Sequence, residues 1–179
     1  MVYLLLADGF EEVEALSPLD ILRRGGIDIK TVGVSGKEVT GSHGITVTAD
    51  ILPEEAIEIP ELVIFPGGMP GSLNLDSAAI TDTLIERTLK NGGALAAICA
   101  APLILGKRGL LKGKKAICYP GFESYLEGAL IADTPVVTDG AFTTAKGMGV
   151  AFEFGLALLA RLTSKEKADE IAASAQYSL

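Results

Sequence analysis

The sequence predicts a single α/β domain with a mostly parallel sheet and helices on both faces. Apolar runs rich in β-branched residues alternate with longer amphipathic stretches, which is the pattern of βαβ units. Two runs, Leu62–Phe65 and Ala94–Ile98, are apolar at every position, as in strands whose two faces are both covered. The chain has 179 residues, 49% of them hydrophobic, which suits one sizeable core. We therefore expect residues 1–179 to form one domain.

The first third of the chain predicts two strands around a helix. The first strand covers Val2–Ala7, and the helix has Ser17 as its N-cap, Pro18 in its first position and a Gly-Gly pair after its end. The second strand covers Ile29–Val34. A polar segment around Val39–Thr48 then alternates in the manner of a hairpin, and we expect it to be more exposed.

Two helices are predicted around the Ala94–Ile98 strand. Asp76 or Ser77 is a candidate cap for the first helix, which ends at Asn91 before two glycines, and Pro102 can begin the second. The remaining predicted elements are two short strands followed by two C-terminal helices: Lys115–Cys118, Val136–Thr138, about Val150–Leu162 and Lys165–Ser174.

Composition excludes several classes of function. The 15 Lys and Arg residues against 23 Asp and Glu residues give a net charge of −8, which is unfavourable for binding nucleic acid or anionic lipid. No apolar run is long enough to span a membrane, and the start has no basic segment of a signal peptide. Two cysteines without a secretion signal indicate free thiols in the cytoplasm. With His43 as the one histidine, we expect no metal site.

Cys99 is the main candidate for a catalytic residue. It follows a predicted buried strand, and its neighbours Ala97, Ala100 and Ala101 are small, as a sharp strand-to-helix turn around a projecting nucleophile requires. The turn places the side chain at the carboxyl end of the sheet and beside a helix N-terminus, whose dipole favours a thiolate. The alternative is that Cys99 is a small buried core residue.

A glycine-rich loop follows the neighbouring apolar strand. Gly67 and Gly68 lie in the segment Pro66–Gly71, where backbone N–H groups can approach a ligand as in an oxyanion hole. The alternative is a turn that needs positive φ. The segment lacks the Gly-Lys-Ser/Thr of a phosphate-binding loop, so nucleotide binding is not supported.

The candidate proton-transfer residues are Glu14 and His43. Glu14 follows the first strand and can hydrogen-bond a thiolate or move protons, although a glutamate there is also common as a solvated charge in the first turn of a helix. His43 would be the base of a Cys-His dyad if it reached Cys99, and otherwise a structural or exposed residue. Cys118 lies in an apolar stretch that predicts a buried, inert thiol.

Four motifs together resemble one family. They occur in order along the chain, each after a predicted strand or before a predicted helix: Glu11-Glu12-Val13-Glu14, Phe65-Pro66-Gly67-Gly68, Ala97-Ile98-Cys99-Ala100-Ala101-Pro102, and Thr144-Ala145-Lys146-Gly147 before Phe152-Glu153-Phe154-Gly155. The whole chain resembles the ThiJ/PfpI family, in the branch of the Parkinson's disease-associated deglycase and its bacterial relatives.

The resemblance implies a flavodoxin-like three-layer sandwich with a cysteine nucleophile elbow and a homodimer. It implies that Cys99 is a low-pKa nucleophile and that Glu14 is the carboxyl group hydrogen-bonded to its thiolate. Backbone amides of Gly68 and Ala100, in a loop shaped by Gly67, would form the oxyanion pocket. The apolar face of the first helix and the Arg23-Arg24 pair would lie near the dimer interface, so that an arginine such as Arg24 approaches the neighbouring site.

The chain departs from the family pattern at three positions. Tyr119 precedes Pro120 where the branch often has a histidine, and His43 and Lys146 stand at positions that are commonly arginine. Tyr119 and His43 are therefore candidate pocket residues, while a conventional Cys-His hydrolase mechanism is disfavoured.

These residues support two hypotheses about function. The first is a cofactor-free glyoxalase or deglycase, in which Cys99 adds to a small carbonyl substrate such as methylglyoxal and Glu14 moves the proton. The second is a redox sensor in which Cys99 is oxidised. A cysteine peptidase or amidotransferase has the right fold and nucleophile, but the chain lacks the histidine that such an enzyme needs.

Overall fold

The computed structural model describes residues 1–177 and contains ten strands and six helices within that range. The strands are β1 (Val2–Leu6), β2 (Ile29–Gly33), β3 (Glu38–Thr40), β4 (Thr46–Thr48), β5 (Leu62–Phe65), β6 (Ala94–Ile98), β7 (Lys115–Ala116), β8 (Leu130–Ile131), β9 (Val136–Asp139) and β10 (Phe142–Ala145). The helices are α1 (Glu12–Arg24), α2 (Gly71–Ser77), α3 (Ala79–Lys90), α4 (Pro102–Lys107), α5 (Ala151–Leu162) and α6 (Lys165–Ser174).

Six strands form the central sheet in the order β2-β1-β5-β6-β10-β9. All neighbouring pairs are parallel except β10 and β9, so the antiparallel strand lies at one edge. The hairpin predicted around Val39–Thr48 consists of β3 and β4, which pair with each other outside the central sheet. Strands β7 and β8 pair in a second small sheet, which is parallel.

Helices cover both faces of the sheet, as the fully apolar strands predict. Along β1, Val2, Leu4 and Leu6 pack with α1, α5 and α6, whereas Tyr3 and Leu5 pack with α2, α3 and α4. Alternate side chains of one strand therefore enter two separate cores, because successive residues of a strand point to opposite faces. This arrangement confirms the flavodoxin-like three-layer sandwich.

Helix α1 begins five residues before the predicted Ser17 cap. The Glu11 carboxylate caps it by accepting a hydrogen bond from the Glu14 N–H (2.7 Å). Pro18 lies inside the helix, close to α5: a Cβ built at Gly155 would lie 2.9 Å from the Pro18 Cα. The Ser-Pro signal was misleading because the earlier acidic cap extends the helix through the proline.

The prediction that Asp76 or Ser77 caps α3 is also wrong. Both residues belong to α2, a short helix that the sequence analysis did not separate from α3. The Asp76 carboxylate instead accepts hydrogen bonds from Lys107 and Arg108, at 2.6 Å each, and so ties α2 to α4.

Strands β8 and β10 are absent from the sequence analysis, although β10 belongs to the six-stranded sheet and pairs with β6. Its sequence, Phe-Thr-Thr-Ala, is too polar to be recognised as a buried strand. Thr144 nevertheless has 1% of its surface exposed, and its hydroxyl accepts a hydrogen bond from the Ile117 N–H (2.9 Å). Hydrogen bonding of this kind lets polar residues occupy the core.

The topology brings three chain segments together at one edge of the sheet. Adjacent strands β5, β6 and β10 end before Pro66, Cys99 and Lys146, respectively, and all three carboxyl ends face the same way. Open α/β sheets bind ligands outside this edge. Among residues 1–177, no helix has the length and hydrophobicity needed to cross a membrane.

Candidate active site

Cys99 lies on a strained turn between β6 and α4. Its φ of 64° falls in the left-handed region, which residues other than glycine rarely adopt. Its N–H donates to the Ala145 carbonyl (2.9 Å), and its own carbonyl accepts from the Tyr119 N–H (2.8 Å). These bonds hold the unfavourable conformation in place from both sides, and they leave the thiol partly exposed.

Glu14 lies in the first turn of α1 and is fully buried. Its Oε2 accepts a hydrogen bond from the Gly67 N–H (3.0 Å). Its Oε1 accepts no well-formed hydrogen bond from residues 1–177. A buried ionised carboxylate needs partners for both oxygens, so the unpartnered Oε1 favours a proton on this side chain.

Gly67 allows the carboxyl group and the thiol to lie close together. A Cβ built at this residue would collide with the Glu14 Oε2 and would lie 2.6 Å from the Cys99 Cβ. Glycine is thus required here by space, because any side chain would be too close to both residues.

Burial raises the pKa of Glu14 to about 7. The Gly67 amide, together with the nearby Cys99 thiol and Met148 amide, acts in the opposite direction and favours the ionised form, while the Glu11 carboxylate adds to the increase of the pKa. A carboxyl group with this pKa can both take up and release a proton near neutral pH.

Burial also raises the pKa of Cys99, to about 12, and the neighbouring Glu14 carboxylate adds to this through its charge and as a hydrogen-bond acceptor. The direction is opposite to the low pKa that the family resemblance implies. The contribution of Glu14 depends on its charge, however. A protonated Glu14 no longer repels the thiolate and can donate a hydrogen bond to it.

The amides of Ala100 and Gly68 lower the pKa of Cys99 by hydrogen bonding. Both N–H groups therefore lie close to the sulfur, near the place where a substrate oxygen would lie after addition. Gly68 has φ 89°, and a Cβ there would lie 2.5 Å from the Gly9 carbonyl oxygen, so a side chain would displace the loop. These contacts are compatible with the oxyanion role expected from the sequence.

Tyr119 lies beside Cys99, as expected of a pocket residue. A Cβ built at Gly147 would be 3.4 Å from the Tyr119 ring and 4.0 Å from the Cys99 Sγ, so Gly147 is close to both. The sequence analysis did not assign Gly147 or Met148 to the site. The only available signal was the Thr144–Gly147 motif, which ends one residue before Met148.

His43 faces Glu12 rather than Cys99. Its Nδ1 lies 2.9 Å from the Glu12 Oε2, and its backbone N–H donates to the Glu12 Oε1 (2.7 Å). Burial opposes ionisation of Glu12, but the hydrogen bonds from His43 and from neighbouring backbone amides outweigh it and lower the pKa of Glu12 to about 2. Within residues 1–177 His43 makes no hydrogen bond to Cys99 that would support a dyad.

Two further predicted residues lie apart from this pair. Arg24 forms an exposed ion pair with Asp20 (2.6 Å) on the surface of α1. Cys118 has 1% of its surface exposed, and burial raises the pKa of its thiol to about 11. Cys118 is thus buried, as the sequence predicts, and its raised pKa disfavours the reactive thiolate.

Comparison with known proteins identifies the family of the chain. The family model of the DJ-1/PfpI family matches residues 1–161. Protein DJ-1 homolog A of Arabidopsis thaliana is 37% identical over 171 residues, which are 93% of this chain but 44% of that protein, so the chain spans less than half of that relative. A protein of Caenorhabditis elegans named glutathione-independent glyoxalase DJR-1.2 is 31% identical over 170 residues, covering 94% of this chain and 91% of the relative.

A solved structure extends the similarity to the fold. The structure of oxidized Toxoplasma gondii DJ-1 superposes on this chain with a TM-score of 0.95. The two chains are 34% identical in sequence, and the match covers 99% of this chain and 98% of the other. The motifs, the three-layer architecture and these matches lead to the same assignment. The chain belongs to the DJ-1/PfpI family.

Proposed function

We propose that the protein is a cofactor-free, cysteine-dependent enzyme acting on methylglyoxal or related reactive aldehydes and their adducts, as a glyoxalase or deglycase. The observation that carries the proposal is the Cys99–Glu14 pair: a partly exposed thiol on a strained turn beside a buried carboxyl group with a pKa of about 7. The relative named as a glutathione-independent glyoxalase supports the same chemistry.

The first step is addition of the thiol to the aldehyde. Glu14 accepts the thiol proton, the sulfur forms a bond to the aldehyde carbon, and the carbonyl π electrons move to oxygen. The amides of Gly68 and Ala100 stabilise the resulting negative charge, and the oxygen takes the proton back from Glu14. The product is a hemithioacetal.

The second step moves a proton between the two carbons. The Glu14 carboxylate removes the hydrogen of the former aldehyde carbon as a proton, and the electron pair forms a carbon–carbon double bond while the ketone oxygen is protonated by water. Glu14 returns its proton to the second carbon, and the hydroxide left from that water takes the proton of the hydroxyl group on the sulfur-bearing carbon, which leaves a thioester. One carbon is oxidised and its neighbour reduced, so no external oxidant is required. Hydrolysis then releases the 2-hydroxy acid and restores the thiol.

This route suits the available residues better than peptide or amide hydrolysis. Hydrolysis by a Cys-His pair needs a histidine at the sulfur, whereas His43 is engaged with Glu12 and the residue beside Cys99 is Tyr119. Addition to an aldehyde needs only the thiol and a proton carrier.

The test is lactate formation from methylglyoxal, with lactate identified directly. We expect Cys99→Ser and Glu14→Gln each to lower kcat/KM by a factor of about 100 or more, because each removes the nucleophile or the proton carrier. Cys118→Ala is the matched control, since it removes the buried thiol and should keep the activity. Undiminished turnover in either active-site variant removes that residue from the mechanism.

A second candidate function is redox sensing by Cys99. Cys99 is partly exposed while Cys118 is buried, so peroxide has access to one thiol in preference to the other. The relative of known structure from Toxoplasma gondii is described as oxidized. In this reaction the sulfur attacks peroxide, an S–O bond forms as the O–O bond breaks, and water leaves.

Mild peroxide treatment followed by intact-mass and peptide analysis tests this second function. We expect addition of one or two oxygen atoms at Cys99 and none at Cys118, and no addition in Cys99→Ser. Equal oxidation of both cysteines, or oxidation of neither, would count against sensing.

A further inference from the structure

An apolar cavity of about 370 Å³ opens beside the Cys99 site. It is lined by Tyr119 and Pro120 on one side and by residues 146–150 on the other, and most of its lining surface is carbon. Ligand pockets are typically concave and largely apolar, with a few polar groups that fix the orientation of the ligand.

Gly147 connects this cavity to the sulfur. It lines the cavity, and a Cβ built there would lie 3.4 Å from the Tyr119 ring and 4.0 Å from the Cys99 Sγ, so this residue is close to both groups. The next residue, Met148, lies near Glu14, and its backbone amide lowers the pKa of that carboxyl group. One short segment therefore touches the thiol, the proton carrier and the cavity.

Two large side chains at the cavity are left exposed. Tyr119 has 51% of its surface exposed, and Met148 has 53%. Apolar groups exposed together in a concave site are a common sign of ligand binding. They would lose contact with water if an apolar substituent of the substrate lay between them.

Lys146 supplies the only charged side chain in this lining. A charged substituent placed against the Tyr119 ring and the Met148 side chain would lose hydration, and apart from the Tyr119 hydroxyl those two side chains offer it no polar partner. The cavity therefore favours a neutral, apolar substituent over a charged one.

We propose that this cavity binds the substituent next to the reacting carbonyl groups, and that Tyr119 and Met148 select α-oxoaldehydes with an aromatic or branched apolar substituent over methylglyoxal. The proposal rests on the proposed glyoxalase function. The bond changes are those described above: an aryl-substituted α-oxoaldehyde plus water gives the corresponding 2-hydroxy acid, again without an external oxidant.

The test compares kcat/KM for phenylglyoxal and methylglyoxal, with mandelate and lactate identified as products. We expect the wild type to favour phenylglyoxal by about tenfold or more, since hydrophobic pockets discriminate by factors of this order. Tyr119→Ala and Met148→Ala should each lower this ratio about fivefold or more. Tyr125→Ala and Leu130→Ala remove exposed apolar side chains outside the cavity and should leave the ratio unchanged.

A measurement independent of turnover separates this proposal from the proposed function. The rate at which iodoacetamide alkylates Cys99 is measured with mandelate or lactate present. We expect mandelate to protect the thiol more strongly than lactate, and Tyr119→Ala to abolish the difference. Protection of this kind without any turnover would overturn the glyoxalase proposal and retain the pocket. Equal rates with both acids, or a preference for methylglyoxal, would overturn the pocket.

Discussion

Reactivity at the scale of single residues depends on which member of the Cys99–Glu14 pair holds the proton. A thiol beside a carboxylate and a thiolate beside a carboxyl group contain the same number of protons, so one can convert to the other without exchange with solvent. The ionised Glu14 raises the pKa of Cys99, whereas a protonated Glu14 can donate to the sulfur.

The raised pKa of Glu14 predicts a pH-dependent stability. The pKa is about 7 in the folded protein against 4.5 for an unperturbed glutamate, so between these values the folded state binds more protons than the unfolded state. The free energy of unfolding should therefore fall as pH rises from 4.5 to 7, and level off above 7. The shift corresponds to about 3 kcal/mol for this one group.

Glu14→Gln is the matched variant for this prediction, because glutamine has nearly the same shape and stays neutral. We expect urea unfolding at pH 5 and pH 8 to give a larger loss of stability for the wild type than for Glu14→Gln. The difference between the two proteins isolates Glu14 from all other titrating groups. Parallel pH profiles for the two proteins would contradict a raised pKa at this residue.

Single residues differ in how far the sequence predicts their place. Cys99 and Gly67 are predictable because local rules require small neighbours around the turn and glycine in the loop. The partner of His43 is not predictable in this way, because Glu12 lies 31 residues away along the chain. Their contact depends on the hairpin packing against the start of α1, and no local pattern encodes that packing.

Elements are predicted best where one strong local signal acts alone. The boundaries of α6, Lys165–Ser174, agree with the sequence analysis, and its cap is the Ser164 hydroxyl, which accepts from the Lys167 N–H (3.2 Å). The sequence analysis places the start of helix α1 too late, because two start signals compete there. The Glu11 cap determines the start in the structure, and the Ser17-Pro18 pair does not.

Strand β10, in contrast, is an element that the sequence does not predict. Its two threonines do not distinguish a buried strand from an exposed one, and its position is set by parallel pairing with β6. That pairing matters for the site, because the Ala145 carbonyl at the end of β10 accepts the hydrogen bond that holds Cys99 in its strained conformation. An element that is weak in sequence thus positions the candidate nucleophile.

At the scale of the whole molecule, the apolar surface that stays exposed limits where the homodimer implied by the family resemblance could form. Much of the apolar face of α1 is buried within the chain itself, where Leu19, Ile21 and Leu22 lie in the core beside α5. What remains for a partner is near the start of the helix. Val13 is about half exposed, and so is Ile45, whose N–H lies 3.4 Å from the Glu12 Oε1.

We therefore predict a dimer that uses the surface around Val13 and Ile45. Light scattering after gel filtration should give about 37 kDa, twice the 18.6 kDa of one chain. The double variant Val13→Gln and Ile45→Gln should raise the dimer Kd about tenfold or more, because each substitution removes apolar surface from the contact. Ile57→Gln with Ile59→Gln is the control, since both side chains are at least as exposed and lie near the start of β5, away from α1. A monomer at all concentrations would exclude the dimer, and equal weakening by both double variants would place the interface elsewhere.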